Sequence, residues 1–316
     1  MQLMATSIDG FLAYWCGLHE VRGEIHSVFQ RALNIRTYGG QLISILSRAG
    51  LDGPNTMVTE LPQDLNFVTM GLSSGMPVRL DGVEADLGQG ALNLNIGTAQ
   101  KWWPRLAGGA ERLNMDRLKR NFSAIRRTMP KEESREGLSG LLSLVGTLAA
   151  GRWRTVQRMA FTPLTHQAIP GIRDIMMGAL KRKENLLGRG LRELIGLGTG
   201  QTPSGDDLLL GFIGTLSVVS RRVGGPEVED LLRIIRRDLG VMKERTTFIS
   251  GRLLSYACAG RISSPIISVV RAMLFGDAPD AHSSARALMR LGADSGSEIL
   301  LGVLLALSLV PRLSKS

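Results

Sequence analysis

Two adjacent carboxylates occur within one short segment, residues 198–211, whose sequence is GTGQTPSGDDLLLG. These carboxylates, Asp206 and Asp207, come directly before an apolar run that predicts a buried helix. Three glycines let the backbone turn sharply and approach a ligand closely; they are Gly198, Gly200 and Gly205. Because free amide groups and partial positive charge gather at the start of a helix, the segment is suited to hold the anionic part of a small molecule.

The two aspartates are candidate catalytic residues, but they would repel an anion bound beside them. A Mg²⁺ ion held by Asp206 and Asp207, or a substrate with an amide or cationic group, would remove that repulsion. Thr202 and Ser204 add hydroxyls that either bind the ligand or cap the helix. The alternative is that the aspartates only cap a buried helix and the glycines serve close packing. The segment matches neither a Walker loop nor a dinucleotide fingerprint, so generic nucleotide binding is not indicated.

A second segment repeats this pattern near the end of the chain. Residues 295–302, SGSEILLG, follow the order of residues 204–211, SGDDLLLG, and both open a long apolar run. The repeat makes Ser295 and Gly296 candidate ligand-binding residues, and it places Glu298 at the position of Asp207. Two such helix starts would face each other across a pocket if the repeat reflects an internal duplication. A chance match in a chain rich in leucine and glycine is the alternative.

A third group of hydroxyls lies between the two repeats, at the start of residues 246–260 (TTFISGRLLSYACAG). Thr246, Thr247 and Ser250 are suited to hold an oxyanion or a carboxylate, and the nearby Arg245 and Arg252 could pair with a carboxylate substrate. The alternative is that Thr247 is only the N-cap of a helix.

His26 is the remaining catalytic candidate. It lies beside Ser27 and is the best placed of four histidines, although a lone histidine also serves as a hydrogen-bonded structural residue. The two cysteines, Cys16 and Cys258, are far apart and have no metal-type spacing, which favours a reducing, cytoplasmic setting.

The elements that must position these residues divide at about residue 105 and indicate an α+β chain. Residues 1–105 are expected to form an antiparallel sheet or small barrel, and Asp81-Gly82 marks a hairpin turn. Short apolar runs bounded by turn residues predict strands there, at 41–47, 56–61, 66–70, 76–80 and 91–96.

Residues 106–316 have helical periodicity and carry the TPSGDD motif. A stripe predicts one helix from Leu113 to Ile125, Pro226 and Gly240 bound another, and a loop is expected at 128–137. The longest apolar runs, 299–310 and 138–150, are shorter than the roughly 20 residues of a membrane span, so buried helices are expected and no membrane partner is predicted.

The net charge of +10 is concentrated in the middle of the chain. Residues 101–192 hold 19 Lys and Arg against 7 Asp and Glu. This excess indicates a cationic surface that faces an anionic substrate or an acidic partner, or else a set of solvated helix faces. Nucleic-acid binding is not expected, because the segment has no RNP-type aromatic motif and no zinc-finger pattern.

At residues 198–211 the chain resembles a bacterial family with the signature Gly-x-Gly-x-Thr-Pro-Ser-Gly-Asp-Asp, the AllH-like family, which includes an accessory subunit of oxamate carbamoyltransferase. Residues 26–35, 246–250 and 295–296 also resemble the family, so the likeness spans most of the chain. Ser297-Glu298 stands where the family more often has an Asp-containing version, and no role is assigned to Glu298.

The resemblance implies a subunit of a multi-subunit complex that transfers a carbamoyl group between oxamate and phosphate in purine or allantoin nitrogen catabolism. It implies an anionic small-molecule substrate of the oxamate, phosphate or carbamoyl phosphate class, and other subunits as partners. The alternatives are a stand-alone Mg²⁺-dependent enzyme acting on a phosphorylated small molecule, and a non-catalytic interaction subunit.

Overall fold

The computed structural model describes residues 1–47, 51–62, 64–106, 113–128, 137–223 and 226–313. The chain divides into two compact units, Met1–Arg105 and Leu106–Ser316. The first is a barrel-like β-sheet and the second is helical, which confirms the α+β class. Most of the predicted loop at 128–137 lies outside the described residues.

The N-terminal unit contains one sheet, whose strands form a closed ring. Within the described residues its nine strands are β1 (Gln2–Asp9), β2 (Val21–Val28), β3 (Ala32–Thr37), β4 (Leu42–Leu46), β5 (Thr56–Thr59), β6 (Pro77–Leu80), β7 (Glu84–Leu87), β8 (Leu92–Asn95) and β9 (Gln100–Trp102). They pair in the order β5-β4-β3-β2-β6-β7-β8-β1-β9, and an additional β1–β5 pairing closes strands β1 to β8 into the ring.

Closure depends on β1, which uses its two halves differently. Its first residues pair with β8, and after an irregularity between Ala5 and Ser7 its later residues pair with β5 and β9. The pairings of β1 with β8, β1 with β9 and β4 with β5 are parallel, and the others are antiparallel. The sequence did not predict these parallel pairs, because the two-residue alternation of side chains is the same in both orientations.

The strand predicted at residues 66–70 is wrong. Phe67–Met70 is a single 3-10 turn, capped by the Asn66 side chain and ended by Gly71 in the left-handed conformation. The apolar residue that suggested a strand, Phe67, instead fills the core as a fully buried side chain. The hairpin predicted at Asp81-Gly82 joins β6 to β7, and the Asp81 carboxylate accepts the amides of Val83 and Glu84.

Helices form the second unit and one short helix, α1 (Gly10–Leu18), belongs to the first. Those of the second are α2 (Met115–Thr128), α3 (Val145–Ala149), α4 (Trp153–Val156), α5 (Pro163–Lys181), α6 (Glu184–Leu194), α7 (Ser204–Val223), α8 (Pro226–Met242), α9 (Phe248–Cys258), α10 (Ser264–Phe275), α11 (Ala278–Met289) and α12 (Ser295–Leu313). The helices predicted around 113–125 and 226–240 are therefore confirmed as α2 and α8.

Helices α7 and α12 form the centre of the helical unit and touch backbone to backbone. A Cβ atom at Gly211 would lie 2.0 Å from the Ile299 carbonyl oxygen, and one at Gly302 would lie 2.0 Å from the Leu208 carbonyl oxygen. Only glycine permits this approach. Helix α12 is long and apolar enough to cross a membrane, but 78% of its most apolar window is buried inside the protein, so its composition is that of a core helix.

Candidate functional site at three helix starts

The predicted glycine-rich segment is the loop that joins α6 to α7, and helix α7 begins at Ser204, directly after Pro203. Gly198 has φ of 111°, and a Cβ there would lie 2.8 Å from the Ser204 amide nitrogen. The loop therefore passes directly over the start of the helix, which only glycine allows. Gly200 has φ of 89° but open space around it, so its requirement is conformational only.

Asp206 fastens this loop to the start of α9. One of its oxygens accepts the Gly196 amide at 2.9 Å, and the other accepts the Thr246 hydroxyl. Its side chain is 1% exposed, and burial raises the pKa of Asp206, opposed by hydrogen bonds from Thr246, Gly196 and Ser250. Gly196 has φ of 74°, and a Cβ there would lie 2.3 Å from the Arg245 carbonyl oxygen, so both the backbone and the space require glycine. With both oxygens engaged, Asp206 is a positioning residue for the loop.

Asp207 has a different environment, although it is the next residue. Its side chain is 2% exposed, and its Oδ2 is buried without a hydrogen-bond partner. Burial raises the pKa of Asp207 to about 7; hydrogen bonding from Ser295 and Thr202 lowers it, and the nearby charges of Glu298 and Asp206 raise it. A buried oxygen without a partner is uncommon and costly in a folded protein, which makes Asp207 Oδ2 the candidate contact atom of this site.

Hydroxyls from three segments meet around the loop. The Thr202 hydroxyl lies 3.4 Å from the Ser295 hydroxyl at the start of α12. The Thr247 hydroxyl donates to the Gln201 carbonyl at 2.5 Å and also accepts the Ser250 amide as the N-cap of α9. The predicted capping role of Thr247 is therefore confirmed, and the structure brings the starts of α7, α9 and α12 together.

The repeat predicted from SGDDLLLG and SGSEILLG is visible in the contacts of the two helices. Gly205 and Gly296 each pack against a carbonyl of the preceding helix, with a Cβ 2.0 Å from the Leu194 and Leu288 oxygens respectively. This packing accounts for both glycines, and their predicted role in binding a ligand stays a prediction. Further along each helix, Gly211 and Gly302 make the reciprocal contact described above.

The two repeats also exchange polar contacts. The Ser295 hydroxyl of α12 favours the ionised form of Asp207 on α7, and the Ser204 hydroxyl of α7 favours the ionised form of Glu298 on α12. Glu298 is 2% exposed, and burial raises its pKa. Its Oε1 accepts the Leu138 amide at 3.1 Å. The sequence assigned no role to Glu298; its position in the repeat was the signal for this pairing.

The hypothesis that helix amides hold an anion is weakened at α7 and α12. The amides of Gly205, Asp206 and Asp207 donate to the carbonyls of Leu197 and Pro203. At α12 the amides of Gly296, Ser297 and Glu298 donate in the same way to Leu291 and Asp294. Most first-turn amides of both helices are therefore engaged within the chain. The guanidinium of Arg252, a candidate for pairing with a substrate carboxylate, lies 5.8 Å above the Phe248 ring at the start of α9.

The candidate magnesium ligands do not form a recognisable metal site. Among the described residues, no group of three or more His, Cys, Asp or Glu side chains is arranged to hold a metal ion. Both oxygens of Asp206 are engaged by protein donors, which leaves one free carboxylate oxygen on Asp207. Mg²⁺ requires near-octahedral oxygen coordination, which this donor set does not supply by itself.

His26 lies on β2 in the N-terminal unit, whereas Asp206 and Asp207 lie in the helical unit. Its Nδ1 lies 3.2 Å from the Ser27 hydroxyl, which also accepts a hydrogen bond from Asn34. Burial and the positive charge of Arg36 lower the pKa of His26, so its neutral form is favoured. These contacts give His26 a hydrogen-bonded place in the barrel wall, and its catalytic role stays a prediction.

Comparison with known protein families shows the family to which the chain belongs. The model of the AllH family N-terminal domain matches residues 4–102, and the model described as oxamate carbamoyltransferase subunit AllH matches residues 194–307. The chain belongs to the AllH family. The AllH match begins at the last residue of α6 and includes all three helix starts, and the predicted family resemblance is confirmed.

The two AllH matches leave out residues 103–193, which contain most of the basic segment. No curated protein and no solved structure matched the chain significantly. Because the family is described as a carbamoyltransferase subunit, other subunits of a complex are partners of this AllH-family chain.

Proposed function

We propose that this chain forms the small-molecule pocket of an oxamate carbamoyltransferase-type complex, at the starts of α7, α9 and α12. The family description supports the subunit role. The observation that carries the pocket is Asp207, a buried carboxyl whose Oδ2 has no partner and which lies beside the hydroxyls of Thr202, in the preceding loop, and Ser295, at the start of α12. The setting proposed is cytoplasmic purine or allantoin nitrogen catabolism, in keeping with the free, buried Cys16 and Cys258.

The chemistry of the transfer makes demands that such a pocket meets. When the carbamoyl group of carbamoyl phosphate passes to the nitrogen of oxamate, a C–N bond forms, the C–O bond to phosphate breaks, and the nitrogen loses one proton. Asp207, whose pKa is raised to about 7, is suited to accept that proton at neutral pH. We assign the carboxylate or phosphate of the substrates to Arg245 and Arg252, which flank the Thr246 and Thr247 hydroxyls along the chain.

Variants of Asp207 in the assembled complex test this proposal. With carbamoyl phosphate and oxamate as substrates, Asp207→Asn should lower the rate of phosphate release by about 100-fold or more, because a positioned acid or base contributes on that order. Glu193→Gln, an exposed carboxylate on the neighbouring α6, is the matched control and should retain wild-type activity. Full activity of the Asp207→Asn complex would overturn the catalytic role.

The isolated chain separates the proposal from the metal-dependent alternative. We expect the isolated chain to be inactive with or without Mg²⁺, since the proposal requires the other subunits. Turnover by the chain alone that depends on Mg²⁺ and is lost on chelation would favour a stand-alone metal-dependent enzyme.

A docking role for the basic segment is the second candidate, favoured by the exposure of Arg120, Arg154 and Arg158. Other arginines of this segment are engaged internally: Arg173 and Arg189 pair with the buried Asp174, and Arg117 donates to the Phe275 carbonyl. Charge reversal at Arg120, Arg154 and Arg158 together should therefore prevent assembly with an acidic partner subunit without unfolding the chain. Arg286→Glu, an exposed site on α11, is the control, and assembly unchanged by the triple reversal would exclude this surface.

A further inference from the structure

The two halves of the repeat treat equivalent carboxyl groups differently, and the difference concerns one oxygen atom. Asp207 and Glu298 are both 2% exposed and both face a serine at the start of the other helix. In the α12 half, Glu298 Oε1 accepts a hydrogen bond from the backbone amide of Leu138, at 3.1 Å. In the α7 half, Asp207 Oδ2 has no protein donor.

The Gly137-Leu138 peptide, which donates this hydrogen bond to Glu298, is held in place by two further contacts. Gly137, with φ of 94°, brings the backbone so close that a Cβ would lie 2.8 Å from Glu298 Oε1. The Gly137 carbonyl accepts the Thr165 hydroxyl at 3.1 Å, and so the Gly137-Leu138 peptide is fixed from both sides. The donor that the chain itself presents to this type of carboxyl is thus a neutral, planar amide N–H.

We propose that Asp207 Oδ2 accepts an N–H of a neutral carboxamide or ureido group of the substrate, in the position that the Leu138 amide holds at Glu298. This inference rests on the proposed function and assigns the amide end of the substrate to Asp207. The ionised form of Asp207 repels a phosphate group at this oxygen, and most first-turn amides of α7, which would attract one, are engaged by the chain.

The two hydroxyls that hydrogen-bond Asp207 make only a weak contact with each other. The hydroxyls of Thr202 and Ser295 are 3.4 Å apart, whereas O–H···O bonds are usually about 2.7–2.8 Å long. Both residues are only partly buried. An amide group that reaches Asp207 Oδ2 adds a hydrogen bond to an atom that has none, while the Ser295 and Thr202 hydroxyls continue to hydrogen-bond Asp207.

Pairs of molecules that differ only in this group test the inference on the assembled complex. Pyruvate has a methyl group where oxamate has NH₂, and acetyl phosphate has the same replacement relative to carbamoyl phosphate. At least one amide-bearing molecule should bind about tenfold or more tightly than its methyl counterpart, because a hydrogen bond to a buried carboxyl contributes on that order. Isothermal titration at pH 8, where Asp207 is mostly ionised, measures both members of each pair.

Asp207→Leu, which keeps the branched shape but has no acceptor, should bring the ratio within each pair close to one. Asp207→Asn should give an intermediate ratio, since it offers a neutral acceptor, and it serves if the leucine variant does not fold. Glu193→Gln, an exposed carboxylate on α6, is the control and should keep the wild-type ratio.

The outcomes separate this inference from the proposed function. Equal affinities within both pairs, an unchanged ratio in Asp207→Leu, or no binding of either amide would each overturn the inference. Preference for the amide that depends on Asp207, in a complex that transfers no carbamoyl group, would leave the inference standing and overturn the proposed reaction. Carbamoyl transfer by a complex whose affinity ratio does not depend on Asp207 would overturn the inference and leave the proposed reaction standing.

Discussion

Gly211 on α7 and Gly302 on α12 occupy equivalent positions of a repeated sequence, and each touches the backbone of the other's helix. The distances are the same in both directions: a Cβ at either residue would lie 2.0 Å from a carbonyl oxygen of the partner helix. The two helices can therefore approach closely enough for the serine at each helix start to reach the carboxyl of the other. The geometry of the candidate site depends on these two glycines.

Alanine at either glycine should separate the helices. We expect Gly211→Ala and Gly302→Ala each to lower the free energy of unfolding by about 1–3 kcal/mol or more, because rigid backbone cannot yield as a side chain does. Gly240→Ala on α8 is the control: it is exposed with open space around it, and it should stabilise the protein by about 0.5–1 kcal/mol. Urea unfolding of the three variants measures the difference, and equal stabilities would contradict the close contact.

The raised pKa of Asp207 should make stability depend on pH in a defined direction. The folded protein holds this proton up to about pH 7, whereas an aspartate in the unfolded chain releases it near pH 4. Between these values the folded state binds more protons, so the free energy of unfolding falls as the pH rises. The loss of stability that comes from ionising the buried Asp207 is absent below about pH 4 and complete above about pH 7.

Asp207→Asn, which does not titrate, isolates this contribution. Burial also raises the pKa of Asp206 and of Glu298, but both remain in the variant, so their effect largely cancels in the comparison. The stability of the variant relative to wild type should increase from pH 4 to pH 8, by at most about 4 kcal/mol. Parallel stability curves for the two proteins over this range would show that Asp207 titrates normally.

Alanine at the two loop glycines, Gly198 and Gly200, should destabilise the protein to different extents. Gly198→Ala meets both a left-handed backbone and the Ser204 amide, whereas Gly200→Ala meets only the unfavourable backbone. We expect Gly200→Ala to cost about 1–2 kcal/mol and Gly198→Ala to cost clearly more. Carbamoyl transfer by the assembled complex should fall further with Gly198→Ala. The reverse order in thermal unfolding would indicate that the loop does not pass over the start of α7.

Removal of the Glu298 acceptor should expose one particular backbone amide. Glu298→Ala leaves the buried Leu138 amide without a partner and should destabilise the protein by roughly 1–3 kcal/mol, with faster hydrogen exchange at Leu138. Glu298→Gln retains an acceptor oxygen and should preserve most of the protection at Leu138. If Leu138 exchanges equally fast in wild type and in both variants, the pairing of Glu298 with this amide does not hold in solution.

Local patterns in the sequence predicted several elements, among them β4, β5, β6 and β8, but not which elements pair. Alternation within 91–96 predicted β8, and proline, acids and a glycine bounded the helix that became α8. Phe67 misled the prediction at 66–70, because a short apolar run does not distinguish a strand from a turn that buries one large side chain. The parallel pairings of β1 could not be predicted from the sequence, because they depend on which strands meet in three dimensions.

The sequence by itself determined the positions where glycine, hydroxyl and carboxylate side chains would gather, because these residue types mark turns and helix starts through local backbone chemistry. It also determined the family, through the Thr-Pro-Ser-Gly-Asp-Asp block and its surroundings. Only the tertiary structure decided that Asp206 is satisfied by Gly196 and Thr246 while the adjacent Asp207 keeps one oxygen without a partner. The physical reason is that hydrogen-bond satisfaction and desolvation depend on what packs around a side chain, and here that packing comes from segments tens of residues away.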